Sequence, residues 1–167
     1  AASDVYKRQS KLSHLYSLLA RAELVCIQEA HFDASVTLPL LNKVCAHTNS
    51  TCFYSANSTA AGGLLTFINA NSFKGVKAVV VKHIKPGRIM SLDIVSGRGR
   101  FCVFNIHLDH ETVVNRVSDL NLIGDAMPNF PTILAGDWNF TTQLKDKVTF
   151  ACADRPAAIV GGGRFEN

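Results

Sequence analysis

The feature that most restricts the fold is a block of extended segments in the middle of an otherwise alternating chain. Cys52–Ser55, Gly63–Ile68, Lys77–Ile84 and Arg88–Val95 are runs of strand length, separated only by turn signals at Gly62-Gly63, Pro86-Gly87 and Gly97 to Gly99. Before the block, Leu12, Leu15, Leu18 and Leu19 recur at helical spacing from Ser10 to about Ala22, and a short strand, Leu24–Ile27, follows. Ser35 reads as the N-cap of a second helix through about Cys45, with Pro39 in its first turn, where a missing N–H is tolerated. After the block, "RFCVFNIHL" is a further strand, and Asp109 can cap a helix that carries Val113, Val117, Leu120 and Ile123 on one side. Pro128 and Pro131 stop that helix, Ile133–Ala135 read as a buried strand, and Gly136 reads as the point where it stops. Helices alternating with strands, plus consecutive strands in the middle, predict α/β layers around a mixed sheet.

At 167 residues and 47% hydrophobic, the chain suits one soluble domain with a real core. Its apolar runs fall far short of the ~18 residues of a membrane span, and no basic leader with an apolar stretch opens it. Five cysteines, odd in number and without a C-x-x-C pair, predict a reducing, intracellular setting and no structural zinc. The opening "AASDVYKRQ" resembles the in-frame translation of a transposase sequencing adapter, so Ala1–Gln9 are set aside as non-native and residues 10–167 are read as the domain. Those nine residues carry two basic groups and one acid, which leaves +3 of the formal +4. That charge is compatible with a polyanionic partner without specifying one.

Three strands end alike, each running out into polar side chains: Gln28–Glu29, Asn105–His107 and Asp137–Asn139. In layered α/β proteins strand ends gather at one edge of a sheet, where ligands bind. Each ending has an ordinary reading too. Glu29 can be a solvated loop acid, His107 a histidine satisfied by a carbonyl, and Asp137–Asn139 a turn bonded to its own backbone. Convergence of the three favours chemistry. Carboxylate oxygens suit a hard cation such as Mg²⁺, or Mn²⁺ in its place, which keeps several waters and can polarise a phosphoryl oxygen. Asn139 suits holding a water or a phosphate oxygen, and His107 can donate to developing charge. The set is poor for zinc and lacks the strand–turn–helix serine of an acyl-enzyme hydrolase.

These residues resemble the endonuclease/exonuclease/phosphatase superfamily, the fold of DNase I and the abasic-site endonucleases. "VCIQEAH" is similar to its metal-site glutamate motif, "AGGLLTFI" to the double-glycine strand that follows, "FNIHL" to the strand bearing a catalytic histidine in the DNase I branch, and "LAGDWNF" to its G-D-x-N motif. The likeness extends from about Leu24 to Phe140. It implies an α/β sandwich, two mixed β-sheets face to face with helices outside. It also implies Glu29 as metal ligand, Asp137 as proton acceptor from the attacking water, Asn139 as its orienting partner and His107 on the scissile phosphate. Within the superfamily, "SANSTAAGG" and "PGRIMSLDI" resemble the endonuclease domains of non-LTR (LINE-type) retrotransposons. That narrower likeness implies a duplex DNA substrate, a reverse transcriptase in the same polyprotein and a nuclear location.

Two departures accompany the likeness. A metal-site Asn on the family's first strand and an S-D-H motif near its far end have no counterpart here. The domain is therefore expected to be incomplete at both ends, poorly soluble alone and inactive alone. Two alternatives share the residues: a phosphoesterase for phosphoinositide or sphingomyelin headgroups, and a nuclease-like binding module without chemistry. Against the first, residues 32–38 and 69–74 carry no membrane-seeking loop. Arg88, Arg98 and Arg100 are candidate DNA contacts, though they can equally be solvated hairpin charges.

Overall fold

Among the described residues, seven strands and three helices form in the order the alternating pattern predicts, and they assemble as two sheets between outer helices. The computed structural model describes residues 2–31, 34–57, 62–70, 75–97 and 99–140. The elements are α1 (Ala2–Leu19), β1 (Leu24–Ile27), α2 (Ala34–Thr48), β2 (Ser50–Ser55), β3 (Leu64–Asn69), β4 (Ala78–Lys85), β5 (Ile89–Ser96), β6 (Gly99–His107), α3 (Val113–Ala126) and β7 (Thr132–Asp137). One sheet has the order β1-β3-β2 and the other β4-β5-β6-β7. The first is antiparallel among the described residues. The second is mixed: β4, β5 and β6 form an antiparallel meander, and α3 carries the chain over to β7, parallel to β6. No helix of the described residues is long and apolar enough to cross a membrane.

The period-two alternation of the strands sorts side chains into three cores. On β3, Leu65 and Phe67 face α1 and α2 and pack with Leu19, Val25, Leu41 and Val44. The opposite face of that sheet, with Ile68, Leu24, Cys26 and Phe53, meets Leu92, Ile94 and Val103 of the second sheet. The outer face of the second sheet packs Cys102, Phe104 and Ile106 under Ile123 of α3. Fully burying a side chain of this kind stabilises by about 1.5–3 kcal/mol. The intersheet layer therefore locks the two sheets as one sandwich, and with them the relative positions of their strand ends.

Several local expectations need correction. The helix α1 begins at Ala2 and not at Ser10, and it ends at Leu19, short of Ala22. In α2, Ser35 lies within the helix and Pro39 in its interior, because the helix starts at Ala34. The N-cap of α3 is Thr112, whose hydroxyl accepts from Asn115 N at 3.1 Å. Asp109 instead closes the turn before it, its Oδ1 accepting from Glu111 N at 2.8 Å and Thr112 N at 3.0 Å. Of the four residues read as one side of α3, Ile123 is buried beside Asp119, whereas Val113, Val117 and Leu120 are exposed. Asp119 accepts from Lys85 Nζ of β4 at 2.6 Å, so the buried side of the helix carries an ion pair beside its apolar contact. Nor is β7 buried. It pairs only with β6 among the described residues, and Ile133 and Leu134 are exposed. Gly136 does not stop the strand, which runs on to Asp137; it is needed because a Cβ there would lie 1.9 Å from Ile106 O. The glycines of residues 161–163 and Cys152 lie outside the described residues.

Candidate active site

Parallel pairing of β6 with β7 sets His107 directly across from Asp137, so the last residues of two strands arrive together. Leu108 N continues the ladder onto Asp137 O at 2.9 Å. Asn139 then folds back: its Nδ2 donates to Leu108 O at 2.6 Å, and its own N–H donates to Asp137 Oδ1 at 2.9 Å. The turn and the site are thus the same object. The Asp137–Asn139 pair does bond its own backbone, and that bonding pins both side chains at the mouth of the strand.

The third contribution comes from the other sheet. Glu29, just past β1, places Oε1 3.5 Å from His107 Nε2. The histidine is 2% exposed, whereas the glutamate side chain is 60% exposed, so an open carboxylate stands over a covered imidazole. Backbone bonds hold this approach: Ala30 N donates to Gly63 O at 3.1 Å and His31 N to Gly62 O at 3.0 Å, one on each of the two residues after Glu29. Glu29 and Asn139 both sit in the left-handed region, with φ of 52° and 50°. For Asn that conformation is common; for Glu it is not, and such strain of roughly 1–3 kcal/mol persists only where surroundings fix it. Four residues from three strand ends, Glu29, His107, Asp137 and Asn139, therefore share one edge.

Asn105 and Arg88, neither of which the sequence reading placed against His107 or between the sheets, hold this edge together. Asn105 lies on the same face of β6 as His107, pointing between the sheets, and is 1% exposed. Its Nδ2 donates to Leu65 O at 2.9 Å and Thr66 Oγ1 at 3.0 Å, and its Oδ1 accepts from Gln28 Nε2 at 2.7 Å. A polar residue at the inward parity of an apolar strand was the available signal. Arg88, read from the sequence as a DNA contact, lies inside the site: its Nη1 is 3.4 Å from His107 Nδ1 and 3.5 Å from Leu108 O. Burial, then the Arg88 guanidinium, hold the His107 imidazole below its ordinary range against the opposing pull of Glu29 and Asp137.

The other two arginines are not part of this cluster. Arg100 bonds Asp93, its Nε donating to Oδ1 at 2.9 Å, and its guanidinium lies 4.2 Å above the Phe130 ring centre. It sits at the opposite end of β6 from His107, about 23 Å away along the strand. Arg98 lies outside the described residues.

Residues 3–157 match the profile of the Endonuclease/Exonuclease/phosphatase family. The chain belongs to that family. Solved structures of the same fold include NExo, a 3′ phosphatase from Neisseria bound to product DNA hairpin, at TM-score 0.61 and 14% identity over 82% of this chain and 56% of that one. D. rerio TDP2 complexed with single strand DNA product aligns at TM-score 0.57 and 15% identity, over 78% of this chain and 54% of that one. ANGEL2, a 2′,3′-cyclic phosphatase, aligns at TM-score 0.55 and 14% identity, over 77% and 42%. The chain thus spans about half the length of the solved structures it resembles. No curated protein matches it in sequence.

Proposed function

We propose that this edge is the site of a divalent-metal-dependent phosphodiester hydrolase, and that its substrate is duplex DNA, nicked on one strand. The observation that carries the reading is the approach of Glu29 to His107 at 3.5 Å, at the strand end that also presents Asp137 and Asn139. Asp137 takes the proton of the attacking water. One of its oxygens is engaged by the Asn139 N–H, and among the described residues no hydrogen bond takes the other, which would receive that water. Asn139, anchored through Nδ2 on Leu108 O, orients the water with its side-chain oxygen. His107 contacts the scissile phosphate, and a hydrogen-bond donor to developing oxyanion charge contributes about 10²–10³-fold.

The donors near Glu29 fit a hard, hydrated cation. The carboxylate is open, and no group of three or more His, Cys, Asp or Glu among the described residues is arranged to hold an ion. One carboxylate plus retained water is the habit of Mg²⁺, with Mn²⁺ close behind, and not of a closed zinc site. Positive charge held there by Glu29 would offset the charge that develops on the phosphoryl and leaving oxygens. Arg98 and Arg100 would contact phosphates, whereas Arg88, grouped with them in the sequence, stands against the His107 ring. The surface pair of Arg100 with Asp93 is weak enough to be exchanged for one, and neutralising either Arg98 or Arg100 lowers the salt slope of DNA affinity by about one unit.

The finer reading is the endonuclease domain of a non-LTR retrotransposon, nuclear and in one polyprotein with a reverse transcriptase, with Ala1–Gln9 adapter-derived. Its support is the "SANSTAAGG" and "PGRIMSLDI" segments beside the metal-site and G-D-x-N motifs. The test is nicking of supercoiled plasmid by the protein expressed from the complete reading frame that contains this chain. Open circles should form with Mg²⁺, stop with chelator, and fall at least ~10³-fold in Asp137→Ala. Undiminished nicking by that variant, or in chelator, overturns the reading. The 167-residue chain alone should nick negligibly.

A further inference from the structure

Arg88 grips His107 at two places. Its backbone oxygen accepts from His107 N at 2.8 Å, and its guanidinium Nη1 stands 3.4 Å from His107 Nδ1. A guanidinium has five N–H donors and no lone pair to offer, so the ring nitrogen facing it must be the one without a proton. The opposite ring nitrogen, Nε2, faces a carboxylate oxygen of Glu29 at 3.5 Å, an acceptor. Both neighbours therefore select one tautomer, protonated at Nε2. The side chain of His107 is 3% exposed, so little water competes for either nitrogen.

Arg88 is itself held in place. Its N–H closes a turn onto Lys85 O at 2.9 Å, and the turn depends on Gly87, at φ +71°, where an added Cβ would lie 3.0 Å from Asn57 N. Gly87 N donates to Ser55 Oγ at 3.0 Å, and Gly87 O accepts from Gly63 N at 3.0 Å, which ties the turn to the first sheet. The same turn thus fixes the arginine against the strand that ends in the histidine. It also fixes the glycines whose carbonyls steady the residues after Glu29.

We propose that Arg88 is a positioning residue for His107: its guanidinium occupies the Nδ1 side of the ring, which keeps the proton on Nε2 and aims that N–H at the space beside Glu29. This rests on the reading of His107 as the phosphate contact and sharpens it. Nε2 is then a hydrogen-bond donor to a phosphate oxygen and not the base that takes a proton from water, a task left to Asp137. A guanidinium serving only as a phosphate contact would set affinity without setting the tautomer.

The experiment has a spectroscopic arm and a kinetic arm. Nitrogen-15 correlation spectra of the histidine-labelled domain, expressed with its complete flanking sequence, are recorded at about pH 8, above the ordinary imidazole range. Wild type should show a protonated Nε2 and an unprotonated Nδ1 for His107; Arg88→Met should show a mixture of tautomers, and Arg88→Lys, which restores a donor, the wild-type pattern. A protonated Nδ1 in wild type, or an unchanged pattern in Arg88→Met, overturns the proposal. The wild-type spectrum decides even where Arg88→Met does not fold. In plasmid nicking by the complete reading frame, Arg88→Met should lower kcat about 10–100-fold, part of the full value of such a group, with KM moved less than about 3-fold, and Arg88→Lys should recover part of the rate. A rise in KM alone overturns the positioning role in favour of phosphate binding. Absence of all nicking in wild type counts against the hydrolase reading instead, and the spectra still decide the tautomer.

Discussion

Removing the Asn105 amide tests whether one buried side chain sets the spacing of the two strand ends that form the site. Asn105→Ala deletes bonds to Leu65 O, Thr66 Oγ1 and Gln28 Nε2, all between 2.7 and 3.0 Å. The longer contact to Ile27 O, 3.3 Å, adds no further full bond, because the amide has only two hydrogens. At about 1 kcal/mol net per bond the loss is about 3 kcal/mol, within bounds of roughly 2 and 4 set by how well water reaches the orphaned partners. For a chain of this size that lowers Tm by roughly 6–12 °C. The assay is urea unfolding followed by the fluorescence of Trp138, the one tryptophan, which packs against the outer core of the second sheet. Amide exchange at Ala30 and His31, whose N–H groups bond Gly63 and Gly62, reports the site edge itself. Asn105→Asp is the discriminating control: it keeps an acceptor for Gln28 but turns an acceptor, and a buried charge, toward Leu65 O. It should be at least as harmful as Ala. A loss under about 1 kcal/mol in Asn105→Ala, or Asp tolerated better than Ala, refutes the argument that donation across the sheets holds β1 to β6.

Three further outcomes follow from the packing. Lys85→Met strands the Asp119 carboxylate, which is 1% exposed, and should cost about 2–3 kcal/mol, below the usual range for a broken buried pair because Lys85 is itself partly solvated; the double variant with Asp119→Leu should recover most of it, and denaturant melts decide. Gly136→Ala should cost at least about 3 kcal/mol or prevent folding, since its Cβ would overlap Ile106 O; a melt within about 1 kcal/mol of wild type contradicts the β6–β7 register. Burial raises the thiols of Cys26, Cys45, Cys52 and Cys102, that of Cys52 to about 12, with Cys45 nearby adding to it. All four should resist alkylation in the native chain near neutral pH. Because the unfolded thiols ionise first, stability is intact below the ordinary thiol range, near 9, and falls as pH rises through it; rapid native labelling of Cys52 contradicts this.

That Glu29, His107, Asp137 and Asn139 meet at one edge was legible because each follows an apolar run, and a strand's end is written in the sequence as the place where alternation gives way to polar groups. The family's sandwich was legible for the same reason, from five successive strands between helical segments. What could not be read was rotation. Of the stripe Val113, Val117, Leu120 and Ile123 only Ile123 is buried, and it shares its row with Asp119, whose partner Lys85 lies 34 positions away. Periodicity reports which residues share a face of a helix, but not which face a distant partner will claim. Similarly, "ILAGD" is apolar enough for a central strand, and only its pairing with a single neighbour among the described residues makes it an exposed edge. Arg88 was visible as a cation and invisible as a neighbour of His107, since the two meet through β5–β6 pairing, 19 positions apart.

A site assembled from two sheets has a weakness that a site on one sheet lacks. His107, Asp137 and Asn139 are fixed to one another by the β6–β7 ladder and its continuation, which any change in intersheet distance leaves intact. Glu29 is different: it hangs from a four-residue strand of the other sheet, in a strained backbone conformation, and its distance from His107 is the distance between sheets. Bonds that cross between the sheets at that edge, from Asn105 and from the Gly63–Gly87 pair, therefore control one coordinate only, the separation of the open carboxylate from the covered imidazole. Loosening them should harm whatever depends on Glu29 while sparing the Asp137–Asn139 turn. In the Asn105 variants, loss of cation-dependent nicking should accordingly precede loss of the fold, and a variant that melts early yet keeps its full rate while folded would show that the separation is set elsewhere.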